Sequence, residues 1–287
     1  MGLKKRNFIF ILIIGLVVGS IFHTMYVMDG LTRVTTDDAY ITGRVHSIAP
    51  KIPGTIKAVS IEDNQNVKKE SVLIELDPID YELKVGEAQA NVGIRQATFE
   101  QASRDKARAE ALYKDEVFSK ERLENTTTAY NLAKAQLKAA RQQLKIAKRN
   151  LEYTKIYSPS DGYVTGKAVE EGNQVQPHQP LLAVVALDDI WIVANYKETQ
   201  LKNVRPGQRV KIKVDTYPGK VFTGKVDSIM AGTGAAFSLF PPENALGNYV
   251  KVVQRIPVKI VFDKTTDKDN ILRIGMSCIP SISTVDK

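Results

Sequence analysis

The sequence predicts a mixed, multidomain and elongated protein, and three observations lead to this fold class. An apolar segment lies near the N-terminus, two β-rich segments repeat each other, and a long heptad pattern separates them. The expected parts are an N-terminal transmembrane helix, a β-barrel domain, a small split β-sandwich and an antiparallel α-helical coiled-coil hairpin. The single cysteine among 287 residues excludes an intramolecular disulfide.

The N-terminal segment has the features of a membrane anchor. Three cationic residues, Lys4 to Arg6, precede an almost wholly apolar run at 8–28. As a helix this run would be ~31 Å long, which matches a hydrocarbon core of ~30 Å. We therefore predict a cytoplasmic tail at 1–7 and a transmembrane signal anchor at 8–28, with the remaining chain outside the cytoplasm. A cleaved signal peptide is disfavoured, because the run exceeds an ordinary h-region and no small-x-small site follows it.

The two β-rich segments form an internal repeat. The stretch "PGTIKAVSIEDNQNVKKESVLIEL" aligns with "DGYVTGKAVEEGNQVQPHQPLLAVV" at a constant offset of 108, which places Gly54 on Gly162. One residue of slippage aligns Pro50 with Pro159. Neither half is large enough to bury a core alone, so we expect residues 45–77 and 156–187 to pack as one small sandwich.

Residues 78–155, between the halves, carry the pattern of a helical hairpin. The second arm keeps an unbroken heptad, with these seam positions: Leu123, Thr126, Tyr130, Ala133, Leu137, Ala140, Leu144, Ala147, Leu151 and Thr154. The first arm has a looser version, which Arg95 and Lys106 interrupt: Val85, Ala88, Val92, Phe99, Ala102, Ala109 and Tyr113. The phase changes near 114–120, where Ser119 suits a new helix N-cap. Two antiparallel arms of about 35 residues would each be about 50 Å long.

A second β-region follows the repeat. We predict a β-barrel domain from 35–44 and 188–284, with strands at "IWIVANY", "RVKIKVD", "KVFTGKVDSIM" and "QRIPVKIVF". The early segment "TTDDAYITG" would add a strand to it. A long Gly-rich loop, "AGTGAAFSLFPPENALGNY", interrupts the domain. Its lone GxG opens no helix after a strand and is a poor nucleotide-binding signal.

The net charge of +8 does not indicate a nucleic-acid-binding protein. The excess is concentrated on the second helical arm, without an acid among the cations: Lys134, Lys138, Arg141, Lys145, Lys148 and Arg149. A solvated helix face explains this pattern better, since no zinc-finger spacing or RNA-binding aromatic motif accompanies it.

The order of these parts resembles that of the HlyD-type membrane fusion proteins, or periplasmic adaptors, and within them the Emr-type multidrug efflux adaptors. The most specific stretches are "TDDAYITG", "SPSDGYVTGKAVEEGNQV", "WIVANYKETQL" and "GTGAAFSLFPPENALGNYVKVVQRIPVKI". The resemblance implies that the split sandwich is a lipoyl-like (barrel-sandwich hybrid) domain. It also implies a single-pass inner-membrane protein of a Gram-negative bacterium, with its N-terminus in the cytoplasm and its bulk in the periplasm.

The same resemblance implies partners and site residues. The chain would link an inner-membrane drug/proton antiporter of the major facilitator type to a TolC-type outer-membrane channel, and would self-associate into an oligomer. A docking pattern at the hairpin tip falls on Arg108, Leu112 and Ser119. The Gly-rich loop would face the transporter or the drug through Gly232, Gly234, Phe237, Phe240 and Asn244. The hairpin is shorter than those of Emr-type adaptors.

Other functions fit the sequence less well. A biotinyl or lipoyl carrier needs an exposed lysine at the β-turn where the helical arms are inserted, and no Met-Lys-Met occurs. Hydrolase chemistry is disfavoured because there is no GxSxG and the three histidines are far apart in sequence. We expect no catalytic, cofactor-binding or metal-binding residues and no nucleic-acid partner. An adaptor for an ABC exporter of peptides or proteins remains the main alternative, because fold-level analogy cannot assign the cargo.

Overall fold

The structure is a computed structural model that describes residues 32–237, 253–263, 266–267 and 270–284, without the side chains of Ala235 and Phe237. The chain divides into a central unit, Val45–Val185, and a terminal unit, Met1–Arg44 with Ala186–Lys287. The anchor expected at 8–28 lies outside the described residues. Within the described ranges, neither long helix is apolar enough to cross a bilayer.

Strands dominate both units. In chain order they are β1 (Arg33–Thr35), β2 (Ala39–Ile48), β3 (Gly54–Val59), β4 (Asn66–Val67), β5 (Val72–Leu76), β6 (Lys155–Tyr157), β7 (Gly162–Thr165), β8 (Gln174–Val175), β9 (Leu182–Lys197), β10 (Arg209–Val214), β11 (Val221–Ile229), β12 (Arg255–Phe262) and β13 (Cys278–Ser283). Two long helices, α1 (Ile79–Lys114) and α2 (Lys120–Glu152), lie between β5 and β6. Short 3₁₀ turns occupy Glu198–Asn203 and Gly234–Phe237.

The terminal unit is an antiparallel barrel. Its strands pair in the order β1-β13-β10-β11-β12-β9, and β2 pairs with β9. A bridge between Tyr40 and Ser277, beside β13, closes the sheet. The segment "TTDDAYITG" therefore supplies β2 to this unit, as its sequence predicts. Strict alternation in β10 buries Val210, Ile212 and Val214 in a core that also contains Tyr196 and Phe222.

The central unit contains the predicted repeat as a symmetric set of backbone hydrogen bonds. Gly54 of β3 lies opposite Val175 of β8, and the equivalent Gly162 of β7 lies opposite Val67 of β4. Each half thus pairs with the other, and each of the two sheets contains strands from both halves. The equivalent apolar positions are all buried in one core: Ile56 and Val164, Ile61 and Val169, Val67 and Val175, Leu73 and Leu181.

One detail of the predicted alignment is wrong. The amide of Glu70 donates to the carbonyl of Ser158 at 2.9 Å, and the amide of His178 donates to the carbonyl of Pro50 at 3.0 Å. Glu70 and His178 also share left-handed φ angles of 66° and 67°. Pro50 is therefore equivalent to Ser158 at the same offset, and no residue of slippage occurs. The proline of Pro159 is a turn residue that misled the alignment.

The helices α1 and α2 pack side by side in opposite directions. Cross-helix contacts join Phe99 to Tyr130 and Gln96 to Arg141, so rising numbers on α1 meet falling numbers on α2. Every predicted seam position of the second arm, from Leu123 to Thr154, is buried or half-buried. Helices of 36 and 33 residues are ~54 and ~50 Å long.

The predicted seam of the first arm fails at its last position. Tyr113 is 41% exposed, whereas the seam positions from Val85 to Ala109 are buried or half-buried. After Ala109 the contact surface continues through the half-buried Leu112 instead. The backbone carbonyl of Leu112 accepts hydrogen bonds from the amides of Val117 and Phe118 in the turn that follows α1.

Candidate functional site

The tip of the hairpin is a compact five-residue turn between Lys114 and Lys120. The amides of Val117 and Phe118 both donate to the carbonyl of Leu112, at 2.8 and 3.2 Å. Glu116 takes a left-handed φ of 59°, which reverses the chain after the helix end. Ser119 then starts α2, since its side chain accepts from the amide of Arg122 at 3.3 Å. The helix N-cap therefore lies where the sequence predicted it.

The three predicted docking residues all lie at or near this tip. The side chain of Arg108 is 70% exposed and lies 3.9 Å from Asp105. Leu112 follows one turn later on the same face of α1, and its carbonyl connects it to the turn. Ser119 is exposed at the start of α2. The end of α1 and the turn after it thus contain an exposed cation, a half-buried leucine and an exposed serine.

Sequence reasoning missed two apolar residues in the turn. Val117 is 66% exposed, and the ring of Phe118 lies 4.8 Å from the guanidinium of Arg122. The signal was visible as an isolated Val-Phe pair within the charged stretch "KDEVFSKER". Val117 therefore adds an exposed apolar side chain to the polar surface of the tip.

The first arm carries polar contacts inside the seam where its heptad is interrupted. Arg95 donates to the side-chain oxygen of Gln136 at 3.3 Å. The ammonium of Lys106 lies 4.9 Å from the ring centroid of Tyr130 and 3.2 Å from Glu110. The two interrupting cations are therefore accommodated by specific partners, which fixes the register between the helices.

The base of the hairpin is joined directly to the β-sheet. The amide of Leu76 donates to the carbonyl of Thr154 at 2.7 Å, and Glu75 lies opposite Lys155 in the β5–β6 pairing. Tyr81 donates from its hydroxyl to the carbonyl of Pro53 at 2.6 Å. Burial, with a smaller contribution from Asp80, raises the pKa of Tyr81, so the hydroxyl remains a donor.

An open cavity of about 690 Å³ lies between two sheet edges of the central unit. One wall is the end of β2, with Val45 and His46, and the other is β6, with Lys155 and Tyr157. β6 pairs only with β5, so its outer backbone groups have no strand partner among the described residues. The described part of the chain contains no group of three or more potential metal ligands. The β6 side of this cavity is therefore an open strand edge, to which another strand could add.

The predicted loop residues are only partly within the described structure. Gly232 and Gly234 follow β11, and the backbone of Phe237 ends a 3₁₀ turn, whereas Phe240 and Asn244 lie outside the described residues. Where the chain resumes, Arg255 contacts Asp38 at 2.6 Å. A role for these residues in binding transporter or drug stays a prediction.

Comparison with known families assigns both β-units. Residues 44–187 match the family described as "RND MFP, barrel-sandwich hybrid domain". Residues 189–236 match the family described as "CusB-like, beta-barrel domain".

Curated relatives match over most of the chain. The "Fatty acid resistance protein FarA" of Neisseria gonorrhoeae is 37% identical over 298 residues, covering 87% of this chain and 75% of the relative. The "Multidrug export protein EmrA" of Escherichia coli (strain K12) is 35% identical over 299 residues, covering 88% of this chain and 77% of the relative. A solved MacA-MexA chimera with the Pseudomonas aeruginosa MexA α-hairpin is 27% identical, with a TM-score of 0.62 and coverage of 89% and 83%.

Proposed function

We propose that this chain, which belongs to the Emr-type membrane fusion proteins, links an inner-membrane antiporter to an outer-membrane channel. The proteins of this family are periplasmic adaptors of multidrug efflux and are not enzymes. The antiporter would be of the major facilitator type and the channel of the TolC type. The segment 8–28 would anchor the adaptor in the inner membrane, as in homologous adaptors.

The observation that carries this proposal is the way in which the hairpin is inserted. Both helices leave and re-enter one strand pair, where Leu76 donates to Thr154 at 2.7 Å. The hairpin seam from Leu123 to Thr154 has coiled-coil periodicity, and we infer that it forms a rigid coiled-coil spacer. Such a spacer has no use in a carrier domain, but it suits a protein that must reach a partner.

The tip supplies the contact that the spacer would deliver. Arg108 and Val117 are exposed there, and Ser119 is the first polar group of α2. A charged group near the end of α1 and an apolar and a hydroxyl group in the following turn can bind a partner by complementary contacts. We infer that these residues dock the adaptor on the channel.

Self-association belongs to the same proposal. The edge strand β6 and the end of β2 line a cavity of about 690 Å³ in the central unit. Edge strands with unpaired backbone groups commonly accept an additional strand from another chain. We infer that neighbouring adaptors associate through the central units.

The central experiment removes the spacer and keeps its base. Residues 82–152 are replaced by a short turn, which retains the Tyr81 bond to Pro53 and the pairing of β5 with β6. In a strain that lacks its own adaptor, the shortened protein should reach the membrane in normal amount and still co-purify with the transporter, but should not support drug resistance. Resistance equal to that of the full chain would overturn the bridging function.

A second experiment identifies the transporter class. The full chain is purified under mild crosslinking, and the co-purified inner-membrane proteins are identified. Recovery of a major facilitator antiporter supports the proposal, and recovery of an ABC exporter in its place supports the alternative cargo class. An arm with Arg108→Asp serves as control, because a tip variant should not change which transporter is recovered.

A further inference from the structure

A line of cations without an acidic partner among the described residues follows one side of α2. The five residues recur at helical spacing and are all exposed; we name them the basic stripe: Lys134, Lys138, Arg141, Lys145 and Lys148. Each is the residue after a seam position, so all five lie on the same side of the helix pair. Over these 15 residues the stripe extends ~21 Å, with about one charge per helical turn.

The basic stripe has no counter-ion within the described structure. Three other cations of the hairpin pair with acids along their own helix: Lys106 with Glu110, Arg108 with Asp105 and Lys120 with Glu124. No cation of the stripe forms such a pair in the described ranges; Arg141 donates instead to the neutral side chain of Gln96 at 2.9 Å. Like charges one turn apart destabilise an isolated helix, so the stripe opposes folding rather than supporting it.

The side of α1 that lies next to the basic stripe has two positions without a side chain. Gly86 and Gly93 lie one heptad apart on that side, and an added β-carbon at either would meet nothing within 4 Å. Neither glycine is therefore required by packing or by a positive φ angle, although glycine weakens a helix interior. Together they leave a trough beside the stripe, in which the backbone of α1 is accessible to another chain.

The residues around the basic stripe argue against a bilayer and against a second copy of this chain as its ligand. From Gly86 to Ser103, the same side of α1 also contains Gln89, Gln96, Glu100 and Ser103, of which only Glu100 is charged. A helix that binds a bilayer needs large apolar residues beside its cations, and this side has none. The opposite side of the hairpin presents mostly apolar and neutral residues, and its two acids, Glu87 beside Ile146 and Asp105 beside Leu132, lie 18 residues, or ~27 Å, apart. A second copy of this chain could therefore not place one acid against each cation of the stripe.

We propose that the basic stripe and the glycine trough together bind an acidic α-helix of a different protein. Carboxylates at heptad spacing on that helix would each meet one cation of the stripe, and its backbone would approach α1 at Gly86 and Gly93. Charge complementarity selects the partner and its register, and the missing side chains allow the close approach. This surface is separate from the tip residues, so the proposal does not depend on channel docking.

The test uses two synthetic helices of about four heptads and identical composition. One carries glutamates along a single face at the spacing of the stripe, and the other distributes them around the helix. Binding of each to the full chain is measured by fluorescence anisotropy at low and high salt. The helix with glutamates on one face, here called the in-phase helix, should bind at least about ten-fold more tightly than the other helix. Its affinity should fall as the salt concentration rises.

Three variants of the full chain make the result specific. Lys138→Glu with Lys145→Glu should weaken binding of the in-phase helix about ten-fold or more. Arg104→Glu with Lys114→Glu changes the net charge equally away from the stripe and should leave binding unchanged. Gly93→Leu fills the trough and should weaken binding while the helix content stays the same. Equal binding of both helices, unchanged binding after the stripe or trough substitutions, or equally strong binding of anionic phospholipid vesicles would overturn the proposal.

Discussion

A β-carbon on Gly162 would lie 2.5 Å from the carbonyl oxygen of Val185, the strand partner of the adjacent residue Tyr163. At the equivalent Gly54, the nearest atom would be a methyl carbon of Leu76 at 3.5 Å, an ordinary contact distance. Two glycines at the same place in the repeat thus have different physical requirements. Only Gly162 is enforced by the close approach of a neighbouring backbone.

Gly162→Ala should therefore destabilise the central unit, and Gly54→Ala should not. We expect a loss of about 2 kcal/mol in the free energy of unfolding for Gly162→Ala, since backbone must move, and a change within about 0.5 kcal/mol for Gly54→Ala. Urea unfolding followed by circular dichroism measures both. Equal effects of the two substitutions would show that the close approach is relieved without cost.

Ser119→Ala should loosen the first turn of α2. The substitution removes the acceptor for the amide of Arg122, at a cost of about 1 kcal/mol. Hydrogen exchange at the start of α2 should accelerate about five-fold, while exchange in the β-core stays unchanged. Ser119→Asp retains a cap acceptor and should exchange at the original rate. If that variant restores exchange but not recovery of the channel, the hydroxyl also contributes to docking.

Arg108→Asp should weaken co-purification with the outer-membrane channel without lowering adaptor abundance. Its side chain is 70% exposed and its ion pair with Asp105 is 3.9 Å long, so it contributes little to stability. We expect at least about a five-fold loss of channel recovery, as for an interface arginine. Arg104→Asp makes the same charge change one turn earlier. Equal recovery with both variants would remove Arg108 from the interface.

The buried thiol of the barrel gives a prediction for alkaline pH. Burial, with a smaller effect of Asp215, raises the pKa of Cys278 from its ordinary value of 9.0 to about 12. Between these values unfolding releases the thiol proton, so the contribution of Cys278 to the free energy of unfolding should fall as pH rises, by at most about 1.4 kcal/mol per pH unit. The slope should be smaller in Cys278→Ala. At pH 8 the thiol should resist iodoacetamide until urea unfolds the barrel, and labelling of the folded protein would contradict this burial.

Periodicity predicted those parts of the fold in which one side of an element is buried. The heptad from Leu123 to Thr154 predicted the residues of the helix–helix contact, and all of them are buried or half-buried in the structure. This is because apolar residues at helical spacing lie on one face of a helix, and that face packs inward. The repeat predicted paired cores for the same reason. Alternation in "RVKIKVD" likewise identified β10 and its inward residues.

The errors occurred where local chemistry does not depend on a buried face. Pro159 attracted the alignment of Pro50 because proline marks turns, but the carbonyl that matters belongs to Ser158. The strand β13 was not predicted, and its proline at 280 argues against a strand between two neighbours. The structure accommodates it because the pairing with β1 ends at Ser281, so Pro280 pairs with β10 alone among the described strands. At the tip, the sequence predicted Ser119 as a cap but could not show that Val117 is exposed, because a single apolar residue has no period.

The bond from Leu76 to Thr154 makes the reach of this protein adjustable. Since both helices start from one strand pair, equal heptads can be added to or removed from each arm without changing the geometry of that root. Each heptad on both arms alters the span by about 10 Å. The same β-units can thus be combined with hairpins of different length, because a change in helix length does not alter the packing of the β-core.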